Sequence, residues 1–184
     1  WSGRIDPDAQ ARHFADVLAT PGLDGLLLNG HAGEGVFMSR DEQAEVIAIA
    51  RAVGPKTRIL AAVSAESTVQ AAGDAEAAIN AGADAIMVFA PYSWALGADP
   101  RAILNHHRGI AEAAAAPIYL FQGSVGSFRL AYTPDVLRGR LEIDSVAGIK
   151  EGSWEVKAYE CTRRIAREMR PDVAVMASGD EHLF

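Results

Sequence analysis

The amino-acid sequence predicts an α/β protein built on a parallel β-sheet, and three observations support that prediction. Six short apolar segments alternate with segments whose apolar residues recur at helical spacing. The six segments are apolar throughout, as expected for strands of a parallel sheet that is covered on both faces. Polar or glycine-rich residues follow several of them, and a barrel gathers such strand ends around one mouth, whereas an open sheet concentrates its site at one switch point. We therefore predict a (β/α)8 barrel, of which residues 1–184 form a single, partial domain with about six of the eight strands.

The first half of the chain contains three strands and three helices. Asp6 precedes a helix that begins at Pro7, a position where proline is favoured. The first strand ends in a glycine-rich loop, after which Ser39 and Glu42 have the spacing of a capping box. Strands are predicted over residues 25–29, 59–64 and 85–90, and helices begin near residues 7, 39 and 67.

The second half of the chain repeats this pattern. Asp99 and Pro100 open one helix, and Thr133 and Pro134 open another. A short apolar strand that delivers Lys150 at its downstream end precedes the last helix. Strands are predicted over residues 118–122, 145–151 and 173–177, and helices begin near residues 100, 133 and 153.

The composition argues against several kinds of partner. The formal net charge is −7 and the sequence pI is about 5.2, which argues against nucleic acid or an anionic membrane. The longest apolar run, residues 113–121, contains Pro117 and is far shorter than the roughly 18 residues of a membrane span. The single cysteine, Cys161, cannot form an internal disulfide. We expect a soluble, cytoplasmic protein, although the start at Trp1 leaves open whether an upstream segment such as a targeting peptide has been lost.

Lysine is rare in this chain, and one of its three lysines ends a buried strand. Lys56 follows a glycine-proline turn and Lys157 lies on a polar helix face, so both are expected in solvent. Lys150 lies at the downstream end of the predicted strand 145–151, where desolvation disfavours the charged amine. A deprotonated lysine is a nucleophile that can form a Schiff base with a carbonyl substrate. The alternative is a lysine that extends into water or pairs with Glu151.

Four short motifs stand at the ends of predicted strands. Residues 30–34 are Gly-His-Ala-Gly-Glu, residues 91–92 are Pro-Tyr, residues 148–151 are Gly-Ile-Lys-Glu, and residues 178–180 are Ser-Gly-Asp. In this order they resemble the motifs of the dihydrodipicolinate synthase and N-acetylneuraminate lyase family of class I aldolases. The resemblance implies that the first motif holds the carboxylate of a 2-oxo acid and that the third carries the Schiff-base lysine. It also implies that the chain covers the second to seventh strands of the barrel.

Several positions depart from the family pattern. The resemblance implies a proton relay of two tyrosines and a threonine, one tyrosine being lent by a neighbouring subunit, and the corresponding residues here are Phe121, Ser93 and His31. The arginine that often binds a second substrate carboxylate has no clear counterpart, since Gly126 lies near its place, although Arg129 could reach the same mouth. Synthesis of dihydrodipicolinate itself is therefore not expected.

The predicted catalytic residues are Lys150, His31 and Tyr119. His31 suits the proton transfers because an imidazole has a reference pKa of about 6.5, but it could also be a loop histidine bonded to backbone. Tyr119 shares the strand face of Phe121, but it could also be a core tyrosine bonded to a neighbour. The substrate-binding residues implied by the resemblance are Gly30, His31, Ala32, Phe121 and Gly179. No metal is predicted, and no cofactor other than the covalent imine on Lys150.

Other polar residues near the strand ends have simpler interpretations. Glu34 is expected to fix its loop by accepting backbone hydrogen bonds rather than to act as a base. His106 and His107 point about 100° apart on one helix, so they are expected at the surface or an interface rather than on a metal. The loop 30–35 lacks the G-x-G-x-x-G spacing of a dinucleotide site, and the next strand ends in Ser64 rather than in an acid.

Two classes of function remain. The leading hypothesis is a Schiff-base-forming lyase or aldolase that acts on pyruvate or a related 2-oxo acid; dehydration of a 2-keto-3-deoxy sugar acid would pass through the same imine. The alternative is a barrel that binds a 2-oxo acid without turnover, because all three relay positions are changed. The resemblance also implies a homodimer or homotetramer, and neither nucleic acid nor a membrane is expected as a partner.

Overall fold

The computed structural model describes residues 4–123 and 131–178, which contain six parallel strands and six α-helices. The strands are β1 (Gly25–Leu28), β2 (Arg58–Val63), β3 (Ala85–Val88), β4 (Ile118–Gln122), β5 (Val146–Glu151) and β6 (Ala174–Ala177). The helices are α1 (Pro7–Leu18), α2 (Arg40–Val53), α3 (Thr68–Asn80), α4 (Pro100–Ala114), α5 (Pro134–Leu141) and α6 (Val156–Met169). Short 3₁₀ helices cover Gly35–Phe37 and Tyr92–Leu96.

The order of the strands in the sheet shows that the fold is part of a barrel. Each strand pairs in parallel with the strand that precedes it in the chain, from β1 to β6. Because parallel crossovers are right-handed, strands that are always added at the same edge place all the helices on one face. The other face then curves inward, so the six strands form part of a (β/α)8 barrel, as predicted.

Apolar side chains pack on both faces of the sheet. Outward-facing residues such as Ile59, Ile86 and Ile149 are fully buried beneath the helices. Inward-facing residues form a separate, smaller cluster around Ala62, Met87 and Phe89, with Leu60, Tyr119 and Phe121 packed against it. This alternation along each strand places the side chains of Phe121 and Lys150 inside the barrel.

Two predicted helix starts are confirmed by their caps. The Asp6 carboxylate accepts a hydrogen bond from the Ala9 amide at 3.0 Å, one turn into α1. At the start of α2, the Ser39 hydroxyl accepts from the Glu42 amide while the Glu42 carboxylate accepts from the Ser39 amide, which completes the predicted capping box. Local sequence therefore sets where these helices begin.

The last helix begins later than the sequence predicts, at Val156 rather than near residue 153. Ser153 is engaged elsewhere, because its hydroxyl donates to the Glu151 carboxylate at 2.8 Å. Trp154 has a left-handed backbone with φ of 63°, which no α-helix accommodates. No helix within the described ranges is both long and apolar enough to cross a membrane.

Candidate active site

Lys150 lies near the carboxyl end of β5 with its side chain on the inner face of the sheet. It pairs with Phe121 on β4 and with Met176 on β6, and its Nζ lies 5.6 Å from the centroid of the Phe121 ring. The side chain is half-buried, and this burial lowers the pKa of the amine from its usual value of 10.5. In the described part of the chain no carboxylate forms a salt bridge with Lys150. No such ion pair therefore opposes the loss of its proton.

The neighbouring acid, Glu151, lies on the opposite face of the sheet from Lys150. It is fully buried, and one of its carboxylate oxygens accepts hydrogen bonds from the hydroxyl and the amide of Ser153, at 2.8 and 3.3 Å. Adjacent side chains of a strand point to opposite faces, which is why the two residues separate. The alternative in which Lys150 pairs with Glu151 is not found.

Tyr119 lies deeper in the barrel than Phe121, on the same face of β4. Its register partner on β5 is Gly148. A Cβ atom on Gly148 would lie 2.5 Å from Cε1 of Tyr119, so the tyrosine ring fills the space that a larger residue would need. The glycine two positions before Lys150 is thus explained by packing, while a part for Tyr119 in proton transfer stays a prediction.

The loop of residues 30–35 follows β1 and is shaped by a tight backbone contact. Asn29 has a left-handed φ of 58°, and a Cβ atom on Gly35 would collide with the Asn29 carbonyl oxygen. Gln43 on α2 holds the loop from below, because its side-chain amide donates to the Gly35 carbonyl oxygen at 2.7 Å. Glu34 was expected to fix the loop by accepting backbone hydrogen bonds. It has φ of 56° and makes no side-chain cap hydrogen bond.

The same loop presents unpaired backbone amides at the mouth. The amides of His31, Ala32 and Gly33 donate no hydrogen bond within the described residues. Successive free amides in a turn favour an anion such as a carboxylate. Gly30, His31 and Ala32 thus lie together at the carboxyl end of β1, and binding of a substrate carboxylate there stays a prediction.

The His31 side chain lies among three aromatic rings. Its ring centroid is 4.4 Å from that of Phe89, 5.7 Å from that of Tyr92 in a stacked arrangement, and 5.7 Å from that of Phe121. These neighbours cover part of the imidazole, although the residue as a whole keeps an exposed surface. The pKa of His31 is lowered from 6.5, first by this burial and then by the charge of Lys150. At neutral pH the imidazole is therefore uncharged and able to accept a proton.

Sequence reasoning missed two residues that shape this region. Phe89 follows β3 and continues the inner face after Met87; period-two alternation could have identified it. Glu66 follows β2, and its carboxylate accepts hydrogen bonds from the amides of Tyr92 and Ser93 at 2.9 and 3.2 Å. Hydrogen bonding, chiefly from the Ser93 side chain, lowers the pKa of Glu66 and keeps it ionised. The position of an acidic residue just after a predicted barrel strand could have identified Glu66.

The prediction that His106 and His107 lie at a surface or interface is wrong, because the two are 3% and 0% exposed. Trp94 packs against both rings, with centroids 5.2 and 6.3 Å away. The His107 Nδ1 lies 2.8 Å from the Ile103 carbonyl oxygen, and its Nε2 lies 3.4 Å from Nη1 of Arg140. Since arginine can only donate, Nε2 accepts and Nδ1 carries the proton, so His107 is neutral. Neighbouring helices cover both sides of α4, which helix periodicity alone does not reveal.

Some predicted residues lie outside the described ranges. These are Gly179 and the rest of the Ser-Gly-Asp motif after Ser178, together with Gly126 and Arg129. In residues 4–123 and 131–178, no three histidine, cysteine, aspartate or glutamate side chains come together as a metal site requires.

Two cavities lie away from Lys150. One, of about 970 Å³, is bordered by α1 and by the loop after β1, including Phe14, Ala32 and Gly33. The other, of about 510 Å³, lies at the amino end of β4 and β5, next to Asp144 and Arg170. Barrel enzymes have their active sites at the carboxyl end of the sheet, which excludes the second cavity. The first cavity borders the candidate site through Ala32 and Gly33 but is not lined by Lys150.

Known proteins resemble this chain over nearly its whole length. The sequence matches the model of the dihydrodipicolinate synthetase family over residues 2–184. A 4-hydroxy-tetrahydrodipicolinate synthase of Streptomyces coelicolor is 36% identical over 186 residues, which cover 100% of this chain and 57% of that protein.

Solved structures show the same fold. The dihydrodipicolinate synthase of Acinetobacter baumannii, determined with pyruvate, superimposes with a TM-score of 0.83 at 25% identity, covering 97% of this chain and 60% of that one. A prophage protein of Escherichia coli K12, also determined with pyruvate, gives a TM-score of 0.87 at 21% identity, covering 98% and 60%.

The matches extend over nearly all of this chain but over only part of each relative. The chain spans 57% of the length of curated relatives such as the enzymes of Streptomyces coelicolor and Desulforamulus reducens. The family model covers nearly all of its residues, and the six strands superimpose on barrels of that family. The chain therefore belongs to the dihydrodipicolinate synthetase family.

Proposed function

We propose that the protein is a Schiff-base-forming lyase that acts on pyruvate or a related 2-oxo acid, with Lys150 as its nucleophile. The observation that carries the proposal is the half-buried Lys150 amine, which has no carboxylate partner in the described chain and a pKa lowered by burial. Relatives that were determined with pyruvate support this class of substrate. The proposal needs no cofactor besides the lysine itself.

Substrate binding follows from the loop after β1. The unpaired amides of His31, Ala32 and Gly33 would hold the carboxylate of the 2-oxo acid. The keto carbon next to that carboxylate would then face the Lys150 Nζ. Such positioning removes much of the entropic cost of bringing the amine and the ketone together.

The reaction begins with attack of the neutral Lys150 amine on the keto carbon. The carbinolamine loses water to give an imine, and removal of a proton from the adjacent carbon gives an enamine. Each of these steps needs a group that accepts and returns a proton. Phe121 has no exchangeable proton, so we assign this work to His31, whose lowered pKa keeps it neutral. Tyr119 is the second candidate, from its place on the inner face of β4.

The same enamine serves two reactions. Reversible addition of its carbon to an aldehyde makes or breaks a carbon–carbon bond, whereas loss of a hydroxyl group two carbons from the imine dehydrates a sugar acid. Both share every step up to the enamine, so a test of the shared steps comes first.

The test uses the complete natural protein with pyruvate and sodium borohydride. Reduction of the imine should attach one pyruvate-derived group to Lys150, located by peptide mass spectrometry. Lys150→Ala should abolish the adduct, while Lys157→Ala, which changes an exposed lysine on α6, should not affect it. An unmodified Lys150 in protein that binds pyruvate would refute the proposed mechanism.

The alternative is a barrel that binds a 2-oxo acid without turnover. Phe121 favours it, because a residue without a hydroxyl group lies beside the Lys150 amine. It predicts that pyruvate raises the melting temperature by mass action while no imine is trapped and no product forms. Turnover that Lys150→Ala abolishes would eliminate this alternative.

We also propose a homodimer or homotetramer, on the basis of the family resemblance. Light scattering on the complete protein measures the state directly, and a monomer at micromolar concentration would contradict the expectation.

A further inference from the structure

Four rings form one continuous surface beside Lys150, which we call the aromatic wall. Its members are His31, Phe89, Tyr92 and Phe121. Neighbouring ring centroids lie 4.4 to 5.7 Å apart, at the short end of the separations typical of favourable aromatic pairs. The wall begins 5.6 Å from the Lys150 Nζ, at Phe121, and ends at Tyr92.

The wall presents its rings to the mouth of the barrel. Phe89 is buried at 2% exposure and backs the others, whereas Phe121 is half-buried and His31 and Tyr92 are exposed. A substrate joined to Lys150 through its second carbon has its third and later carbons within a few bond lengths of Phe121. The group attached to those carbons would then have ring surface within reach.

An exposed carboxylate, that of Glu66, holds the far end of the wall. Glu66 accepts the amides of Tyr92 and Ser93, so the backbone that carries the Tyr92 ring is held at two successive residues. Stacking of Tyr92 on His31, with 26° between the ring planes, then completes the surface. The wall is preorganised, which reduces the entropy lost when a flat group binds against it.

We propose that the carbonyl compound joined to, or released from, the Lys150 enamine is a flat apolar aldehyde, such as an aromatic aldehyde, that stacks on the aromatic wall. This inference rests on the proposed function and names its substrate class. Phe89 and Phe121 offer no hydrogen-bonding atoms, so the inner part of the wall does not match a polyhydroxylated chain, whose hydroxyl groups would lose water without replacement.

The step balances without any further reagent. The enamine carbon attacks the aldehyde carbon and forms the new carbon–carbon bond, while the aldehyde oxygen takes up one proton and becomes an alcohol. The imine that results is hydrolysed by one water, which releases the 4-hydroxy-2-oxo acid and restores the Lys150 amine. The reverse sequence cleaves the same bond, and no electron is gained or lost overall.

The experiment compares acceptors on the complete natural protein with pyruvate as the donor. Benzaldehyde is the flat apolar probe and D-glyceraldehyde the hydroxylated one. We expect kcat/KM for benzaldehyde to exceed that for D-glyceraldehyde by at least about 10-fold. Tyr92→Ala should reduce this ratio about 2- to 10-fold, because one exposed ring of the wall is lost. Leu96→Ala, on the same 3₁₀ helix and 89% exposed, is the matched control and should leave the ratio unchanged.

The outcomes separate this inference from the proposed function. If Lys150 is trapped by borohydride but D-glyceraldehyde is used equally well or better, the substrate class is wrong and the Schiff-base mechanism stands. A benzaldehyde preference that survives Tyr92→Ala unchanged also overturns the inference, since the wall would not then be its cause. If Lys150 is not trapped, both proposals fail.

Discussion

Two groups of aromatic and basic side chains in this barrel share a composition and differ in access. The first is the aromatic wall beside Lys150. The second, which we call the buried cluster, lies between α4 and α5 and consists of Trp94, His106, His107, Tyr132 and Arg140. In both, histidines lie among rings near a cation, and burial is the main cause that lowers the histidine pKa.

The cations of the two groups behave differently. Arg140 is fully buried, its guanidinium carbon lies 3.3 Å from the Tyr132 ring centroid, and burial lowers its pKa to about 10. Its Nε and Nη2 have no hydrogen-bond partner within the described residues. It stays charged at neutral pH and has no surface for a ligand, whereas Lys150 is half-buried at the mouth. Burial perturbs the pKa in both places, but only access allows the perturbed group to meet a substrate.

Among the variants that test this comparison, His31→Asn is expected to have the largest effect, on the rate of proton exchange. Without the neutral imidazole, exchange of the pyruvate methyl protons with deuterated water, followed by NMR, should slow on the order of 100-fold. In the unmodified protein the exchange rate should fall as the pH drops through the lowered pKa of His31, below 6.5, because the protonated ring no longer accepts a proton. His13→Asn, which changes an exposed histidine of α1, is the control. An unchanged rate in His31→Asn would assign the proton transfers to another group.

Chemical acylation should distinguish the accessible His31 from the buried His107. Diethyl pyrocarbonate should modify His31 at least about 10-fold faster than His107, because the latter reacts only when the packing around α4 opens. Peptide mass spectrometry over a time course measures both rates in one sample. Equal rates would mean that the buried cluster opens readily and that the contrast in access is false.

Acid should destabilise the protein through the buried cluster. The folded-state pKa of His107 lies well below the unfolded value of 6.5, so between those two values the unfolded chain binds one more proton. This contribution is complete above pH 6.5 and is lost as the pH falls, at about 1.36 kcal/mol per pH unit. Urea unfolding between pH 7 and pH 5 should show this slope, with a further part from His106, and His107→Gln should reduce it. A slope that is unaffected by His107→Gln would contradict the assignment.

The smallest effect is expected from removing the charge of the buried cluster. Arg140→Met should raise the free energy of unfolding by about 1 kcal/mol, because a buried guanidinium with unpartnered nitrogens is replaced by an apolar chain of similar length. Arg138→Met, on the exposed side of α5 where it pairs with Glu168, should change stability by less than about 0.5 kcal/mol. Thermal or urea unfolding measures both. A large loss of stability in Arg140→Met would show that its contacts with Tyr132 and His107 outweigh the cost of burying the charge.

The local sequence predicted the elements because their causes are local. Caps at Asp6 and Ser39 set two helix starts, and continuous apolar runs marked all six strands. Lys150 stood out by the same logic, since a lone lysine at the end of such a run must lie at the carboxyl end of the sheet. The single departure in helix position, at Val156, came from a side-chain hydrogen bond of Ser153 that competes with the helix.

Contacts between segments that are distant in sequence could not be predicted from local sequence signals. Phe89 joins His31 and Phe121 only because β1, β3 and β4 bring their ends to one mouth, and Glu66 reaches Tyr92 across the gap between two loops. The burial of His106 and His107 likewise depends on what α3 and α5 place against α4.

The sequence by itself determined that this chain is part of a parallel barrel with an amine at the carboxyl end of one strand, because apolar periodicity and capping act over a few residues. The tertiary structure alone decided which rings surround that amine, which histidine is accessible and which two are buried. Burial and pKa depend on every segment packed around a group, and that packing exists only once the strands have assembled.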